Sequence, residues 1–226
     1  MITITVVGSA LVLGGLIWWQ STKRPPELLT ETDVAIDGPL TADEQKVNNP
    51  IIANVMNPTA IIKTNKGTFE LELFADQMPI TTDNFIALAE AGFYNDTKFH
   101  RVIDGFMIQG GDPNSKGTDE SKYGTGGPGK TIQDEFVEGE NLSNTRGTIS
   151  MANTGQPNSG GSQFFINLVD NTGLDFDKPP FTSKHPVFGR VIKGMEVVDQ
   201  IGSVETKAGD IPADPVIVES VTIVRN

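Results

Sequence analysis

Three stretches concentrate the side chains that could do chemistry. Phe99-His100-Arg101-Val102-Ile103 sets a guanidinium in an apolar run, and Phe106-Met107-Ile108-Gln109-Gly110-Gly111-Asp112 brings an aromatic, a thioether and an amide together within seven residues. Met151-Ala152-Asn153, followed by Gly160-Gly161-Ser162-Gln163-Phe164-Phe165-Ile166, supplies two more amides, a small residue and two aromatics. On a strand Arg101 and Ile103 would share one face, as would Gln163 and Phe165. Taken singly, the aromatics read as core and the polar groups as edge decoration. Taken together they offer a permanently charged multiple donor, amides that donate and accept, and apolar contact surface.

Bond-breaking chemistry has little else to draw on. The chain has no cysteine, no serine in a GxSxG elbow, and two histidines, His100 and His185, without the spacing of a metal site. Gly124-Thr125-Gly126-Gly127-Pro128-Gly129-Lys130-Thr131 matches the P-loop expression. A phosphate cradle needs a buried strand before it and a helix after it, whereas the flanks here are polar and acidic, so a surface loop is expected. Asp134-Glu135 reads as solvated charge. Neither a metal nor a cofactor is expected.

Composition narrows the class further. In 226 residues, 37% hydrophobic and 20% charged describe a globular chain, which excludes a polytopic membrane protein and a wholly disordered one. The net charge of -12 repels phosphate backbones, so nucleic acid is not expected as a partner.

The elements that must position these residues begin after a long leader. Ile2 to Trp19 carries no charge, ends in Trp18-Trp19 and precedes Lys23-Arg24, which predicts an N-terminal membrane anchor with its basic flank over 1–24. A cleaved signal peptide and a buried core segment are the rival readings. The basic pair after the apolar run, and the exit Trp-Trp-Gln-Ser-Thr, favour an uncleaved anchor, whose orientation they set only weakly. Residues 25–58 read as an acidic flexible linker, broken by Pro25-Pro26, Gly38-Pro39 and Asn49-Pro50.

From Thr59 the pattern is globular. Ala60 to Lys63 and Thr68 to Phe74 flank Asn65-Lys66-Gly67, and Phe69, Leu71 and Leu73 alternate with Glu70 and Glu72, which predicts a hairpin. Pro79 to Gly92 predicts a short helix with Phe85, Leu88 and Ala89 on one face, and Met195 to Ile201 a second. The remaining apolar runs are short: Phe99 to Ile103, Phe106 to Gln109, Thr148 to Ala152, Gln163 to Leu168, Val187 to Val191 and Val216 to Val224. Many short strands with two helices and no regular alternation predict a mainly β, closed or nearly closed antiparallel barrel. The glycine-rich connections Gly110 to Gly129 and Thr154 to Gly161 are expected to be functional surfaces.

FHRVIDGFMIQGGD, GTISMAN, SGGSQFFINL and KHPVFGRVIKGMEVV resemble the cyclophilin peptidyl-prolyl cis-trans isomerases, from about Thr59 to Val224. The resemblance implies an eight-stranded antiparallel β-barrel closed by two helices over 59–226, with the substrate groove on its outside. It implies that Arg101 is the catalytic arginine with His100 beside it. Phe106, Met107, Phe165 and Leu174 would wall a proline pocket with His185 at its rim. Gln109, Gln163, Ala152 and Asn153 would hold the peptide backbone. Two departures stand out. Where many eukaryotic members carry a tryptophan just before the leucine equivalent to Leu174, this chain has Gly173, which removes a wall and an indole N–H, so cyclosporin-type binding does not carry over automatically. The stretch Phe176 to Ser183, with Pro179-Pro180, is longer than the turn of compact members.

The expected function is therefore a membrane-tethered prolyl isomerase that assists folding. Its expected partners are proline-containing unfolded or flexible polypeptides and, through the N-terminal helix, a membrane; the protein is expected to be monomeric. The alternatives are a proline-peptide binding module and a holdase chaperone acting without significant isomerase activity.

Overall fold

The structure is a computed structural model and describes residues 57–225. The anchor and nearly all of the linker expected from the sequence lie outside the described residues, among which no helix is long and apolar enough to cross a membrane.

The first two strands, β1 (Thr59–Thr64) and β2 (Gly67–Leu73), form the expected hairpin, with Thr64 opposite Gly67. Period two puts Ala60, Ile62, Phe69, Leu71 and Leu73 inside, while Glu70 and Glu72 reach Lys193 and Arg190 outside. Helix α1 (Pro79–Glu90) follows, and proline at its first position gives up an N–H that no helix could bond. The next two N–H groups, of Ile80 and Thr81, donate to the two oxygens of Glu135 at 3.0 and 2.8 Å. Glu135 is thus a buried carboxylate at the positive end of a helix, which corrects its reading as solvated charge. Phe85 anchors α1 in an aromatic cluster, 5.0 Å from Tyr94, 5.6 Å from Phe164 and 5.5 Å from Phe188 between ring centroids.

The later strands are β3 (Arg101–Ile103), β4 (Met107–Gly110), β5 (Thr148–Met151), β6 (Phe164–Asn167) and β7 (Val187–Lys193). After helix α2 (Met195–Gly202) come two-residue strands β8 (Thr206–Lys207) and β9 (Ile211–Pro212), and then β10 (Val218–Val224). Eight strands make one antiparallel sheet in the order β10-β1-β2-β7-β5-β6-β4-β3, and β8 and β9 pair as a separate two-stranded sheet. Helix α1 lies against β10, and α2 against β2, β3 and β4.

The sheet curls into a half-barrel. Its outer strands, β3 and β10, are joined through the residues ahead of them: Lys98 bridges Ile217, Phe99 N–H donates to Val216 O at 3.0 Å, and Val218 N–H donates to Thr97 O at 2.8 Å. The join is a short contact between flanking segments rather than a strand ladder.

Candidate active site

Cross-strand register decides which side chains meet. Arg101 on β3 lies opposite Gln109 on β4, Gln109 opposite Phe165 on β6, and Phe165 opposite Ser150 on β5. One residue along, Val102, Ile108, Ile166 and Ile149 form a second row, and all four are buried in the core. Opposed residues point to the same side of a sheet and sequence neighbours to opposite sides. The guanidinium, the amide and the phenyl ring therefore stand together on the outer face of the barrel. Ile103, Met107 and Asn167 make the next row on that face.

The outer face is apolar at one end and charged at the other. Met107 and Phe165 are buried, whereas Phe106, Leu174 and His185 are half-buried. The His185 ring meets Phe165 edge-on at 5.3 Å, its Nδ1 lies 3.1 Å from Met151 O, and its N–H donates to Leu174 O at 3.0 Å. Burial lowers the proton affinity of His185, against a smaller opposing effect of the Met151 carbonyl, so it is a neutral rim group near pH 7. At the charged end the Arg101 side chain is 43% exposed, and its Nε lies 3.4 Å from Asp210 Oδ2. Asp210 sits at the end of the β8–β9 turn with φ 60°, and its carbonyl accepts from Val102 N–H at 2.8 Å. The backbone thus docks this carboxylate beside the guanidinium.

The amides build the second wing. Gln109 Nε2 donates to Gln163 Oε1 at 3.0 Å, and Gln163 Nε2 donates to the carbonyls of Gly124 and Gly126 at 2.9 and 2.8 Å. Gln163 is therefore engaged in holding the glycine-rich loop. Gly111 lets the chain pass close to this wing, since a Cβ there would collide with Ser162 O. Ala152 N–H donates to Gln163 O at 3.0 Å, and Asn153 Nδ2 donates to Lys184 O at 2.6 Å. Between Gly124–Thr131 and Ala152–Gln163 lies a cavity of about 690 Å³ that reaches Gln109, Ala152, Asn153 and Gln163. A second, of about 390 Å³, runs from Asn153 to His185. The P-loop-like stretch thus walls a groove, and no helix follows it.

Nine of the sequence-expected site residues are connected in this way: Arg101, Met107, Gln109, Ala152, Asn153, Gln163, Phe165, Leu174 and His185. Phe106 is half-buried in the turn that leads from β3 into β4. His100 is not brought to the outer face. It is 4% exposed, its ring lies 6.5 Å from that of Tyr123, and a Cβ on Gly124 would sit 3.7 Å from its Nε2. Neither ring nitrogen has a hydrogen-bond partner among the described residues, and burial lowers its proton affinity. It packs beneath the glycine-rich loop as a neutral group. The opening expected at Gly173 is partly filled from the longer loop: a Cβ on Gly173 would lie 3.6 Å from Pro180 Cδ. Asp210 had no signal of its own, because a two-residue ribbon is defined only by what it packs on.

Residues 59–223 match the family described as cyclophilin type peptidyl-prolyl cis-trans isomerase/CLD. Peptidyl-prolyl cis-trans isomerase A of Dickeya dadantii is 39% identical, covering 78% of this chain and 90% of that protein. Peptidyl-prolyl cis-trans isomerase B of Escherichia coli is 44% identical over 71% of this chain and 96% of its own. Among solved structures, a cyclophilin type isomerase of Cryptosporidium parvum, determined in the presence of the dipeptide Ala-Pro, superposes with a TM-score of 0.62 at 33% identity, covering 74% of this chain and 99% of that one. With the guanidinium, amides and aromatics ranged along the outside of an antiparallel half-barrel, the chain belongs to the cyclophilin family and is a peptidyl-prolyl cis-trans isomerase.

Proposed function

We propose that the outer face of β3, β4 and β6 is where a prolyl peptide is turned, with Arg101 as the catalytic donor. Rotation about a prolyl amide breaks C–N resonance over a barrier of about 20 kcal/mol, and uncatalysed exchange takes tens to hundreds of seconds. Millisecond turnover needs four to five decades, or about 5.5 to 7 kcal/mol. No bond is cleaved, so the work is gripping, orienting and charge stabilisation. The proline ring is held against Met107 and Phe165, within Phe106, Leu174 and His185. Gln109, Ala152 and Asn153 take the flanking backbone, and Gln163 sets the loop that faces it. As the amide twists, its nitrogen becomes pyramidal and basic. Asp210 occupies Arg101 Nε, which leaves the two terminal guanidinium nitrogens to donate to the amide.

The observation that carries this reading is the single outward row Arg101–Gln109–Phe165. The test is Arg101→Ala in a refolding reaction limited by proline isomerisation. The catalysed rate is expected to fall about a hundredfold with the melting temperature essentially unchanged, as for loss of one preorganised donor. An unchanged rate overturns the assignment. Binding of a proline peptide without faster cis-trans exchange, read from NMR lines, would instead mark a binding module.

We further propose that the enzyme is membrane-tethered and serves unfolded or newly translocated chains. The uncharged run from Ile2 to Trp19 with its tryptophan pair and basic flank supports the tether, and the acidic linker supports reach away from the surface. Protease accessibility of the folded body in intact cells tests both the tether and its side.

A further inference from the structure

The loop Asp175–Lys184 is braced as an arm. Its base is closed by His185 N–H donating to Leu174 O at 3.0 Å. The buried Asp175 carboxylate accepts from Ser143 Oγ at 2.6 Å, Asn144 N at 2.7 Å, Asn144 Nδ2 at 2.8 Å and Lys178 Nζ at 2.8 Å. Burial alone would raise this carboxyl, but those donors outweigh it and hold it below the usual range. Phe176 stacks on Phe136 at 5.4 Å, and Pro180 rests against Gly173.

What the brace presents is an aromatic residue in an unfavourable state. Phe181 has φ 59°, a left-handed conformation that bulky residues avoid, and it is 59% exposed. Pro179 and Pro180 are exposed beside it, as is Val137 next to the Phe136 on which the loop stacks. Backbone strain combined with exposed apolar surface at the end of a rigid support is the pattern of a contact kept for a partner. The descending limb of the loop identifies that partner. Thr182, Ser183 and Lys184 line the cavity that also takes Asn153 and His185, so the tip continues the face that holds the prolyl peptide.

We infer that Phe181, with the Pro179-Pro180 turn, forms an apolar exosite for the client polypeptide. It takes a large aliphatic or aromatic side chain of an extended chain, a few residues away from the proline being turned. The inference rests on the outer-face assignment above and adds a second point of attachment to it. A folded protein cannot offer both points in extended form, so the exosite selects unfolded chains.

The test compares the full wild-type chain with Phe181→Ala on two substrates, an Ala-Pro peptide flanked only by alanine and glycine, and a longer peptide with leucine or phenylalanine on both sides of the proline. On the longer substrate kcat/KM is expected to fall about fivefold, the scale of losing one aromatic anchor, through KM rather than kcat. On the short one it stays unchanged. Equal activity on both overturns the exosite, and an equal loss on both shows that the loop only shapes the proline pocket. A loss seen in vesicles but absent in detergent assigns Phe181 to lipid and also overturns it. Wild type that accelerates neither substrate removes the isomerase site itself, and the exosite with it.

Discussion

Ile108 and Gln109 are neighbours on β4, yet they belong to different parts of the protein. Ile108 meets Val102 and Ile166 inside, with no contact to solvent, while Gln109 meets Arg101 and Phe165 outside and reaches the groove. The surface proposed to bind the peptide is thus the reverse side of the core wall, one residue out of step with it. On β3, β4 and β6 one set of side chains packs the core and the other faces outward, so stability and turnover should separate cleanly on substitution.

Ile108→Ala should give the largest effect, about 2 to 5 kcal/mol of lost stability in denaturant unfolding, with kcat/KM per folded molecule nearly preserved. That profile is the mirror image of the one expected for Arg101→Ala. Core-like destabilisation by the arginine variant, or loss of turnover by the isoleucine variant without unfolding, would break the division between the faces. Asp210→Ala sharpens the outer half. The pair is half-exposed and worth at most about 1 kcal/mol, so kcat/KM should fall two- to fivefold, about as far as that energy allows. If Asp210 works by orienting Arg101, the same change made in Arg101→Ala should cost nothing further.

The smallest effect concerns the two histidines, one under the loop and one on the rim. Burial lowers the proton affinity of both, so the unfolded chain binds protons first as the medium acidifies. Stability should be level above about pH 6.5 and fall below it. Asp175, held low by its donors, adds a further loss in more acidic solution, as the pH falls below the ordinary aspartate range. Denaturant midpoints at pH 7, 6 and 5 read the slope, and His100→Leu should flatten part of it.

Much of this arrangement was legible from residue types. Alternation gave the β1–β2 hairpin and a proline start gave α1, whereas a groove on the outside of the barrel was implied only by the family resemblance of the motifs around Arg101, Phe106, Gln109 and Phe165. What escaped depends on contacts between segments far apart in sequence. Glu135 looks like any loop acid until the start of α1 arrives 54 residues upstream to meet it. Asp210 acquires its place from Val102, and Gln163 spends its amide on Gly124 and Gly126. His100 shares a motif with Arg101, but one residue along the chain sends it beneath Tyr123 and Gly124. The opening at Gly173 is partly filled by Pro180, which lies seven positions downstream and carries no periodic signal.

The half-barrel is zipped shut by a few backbone bonds around Lys98 and Ile217, and Arg101 sits only three positions beyond that fastening. Phe99, whose N–H makes one of those bonds, sets its buried ring 6.2 Å from Phe164, which in turn packs on Phe85, so the strand that carries the guanidinium is fastened to the same rings that anchor the first helix.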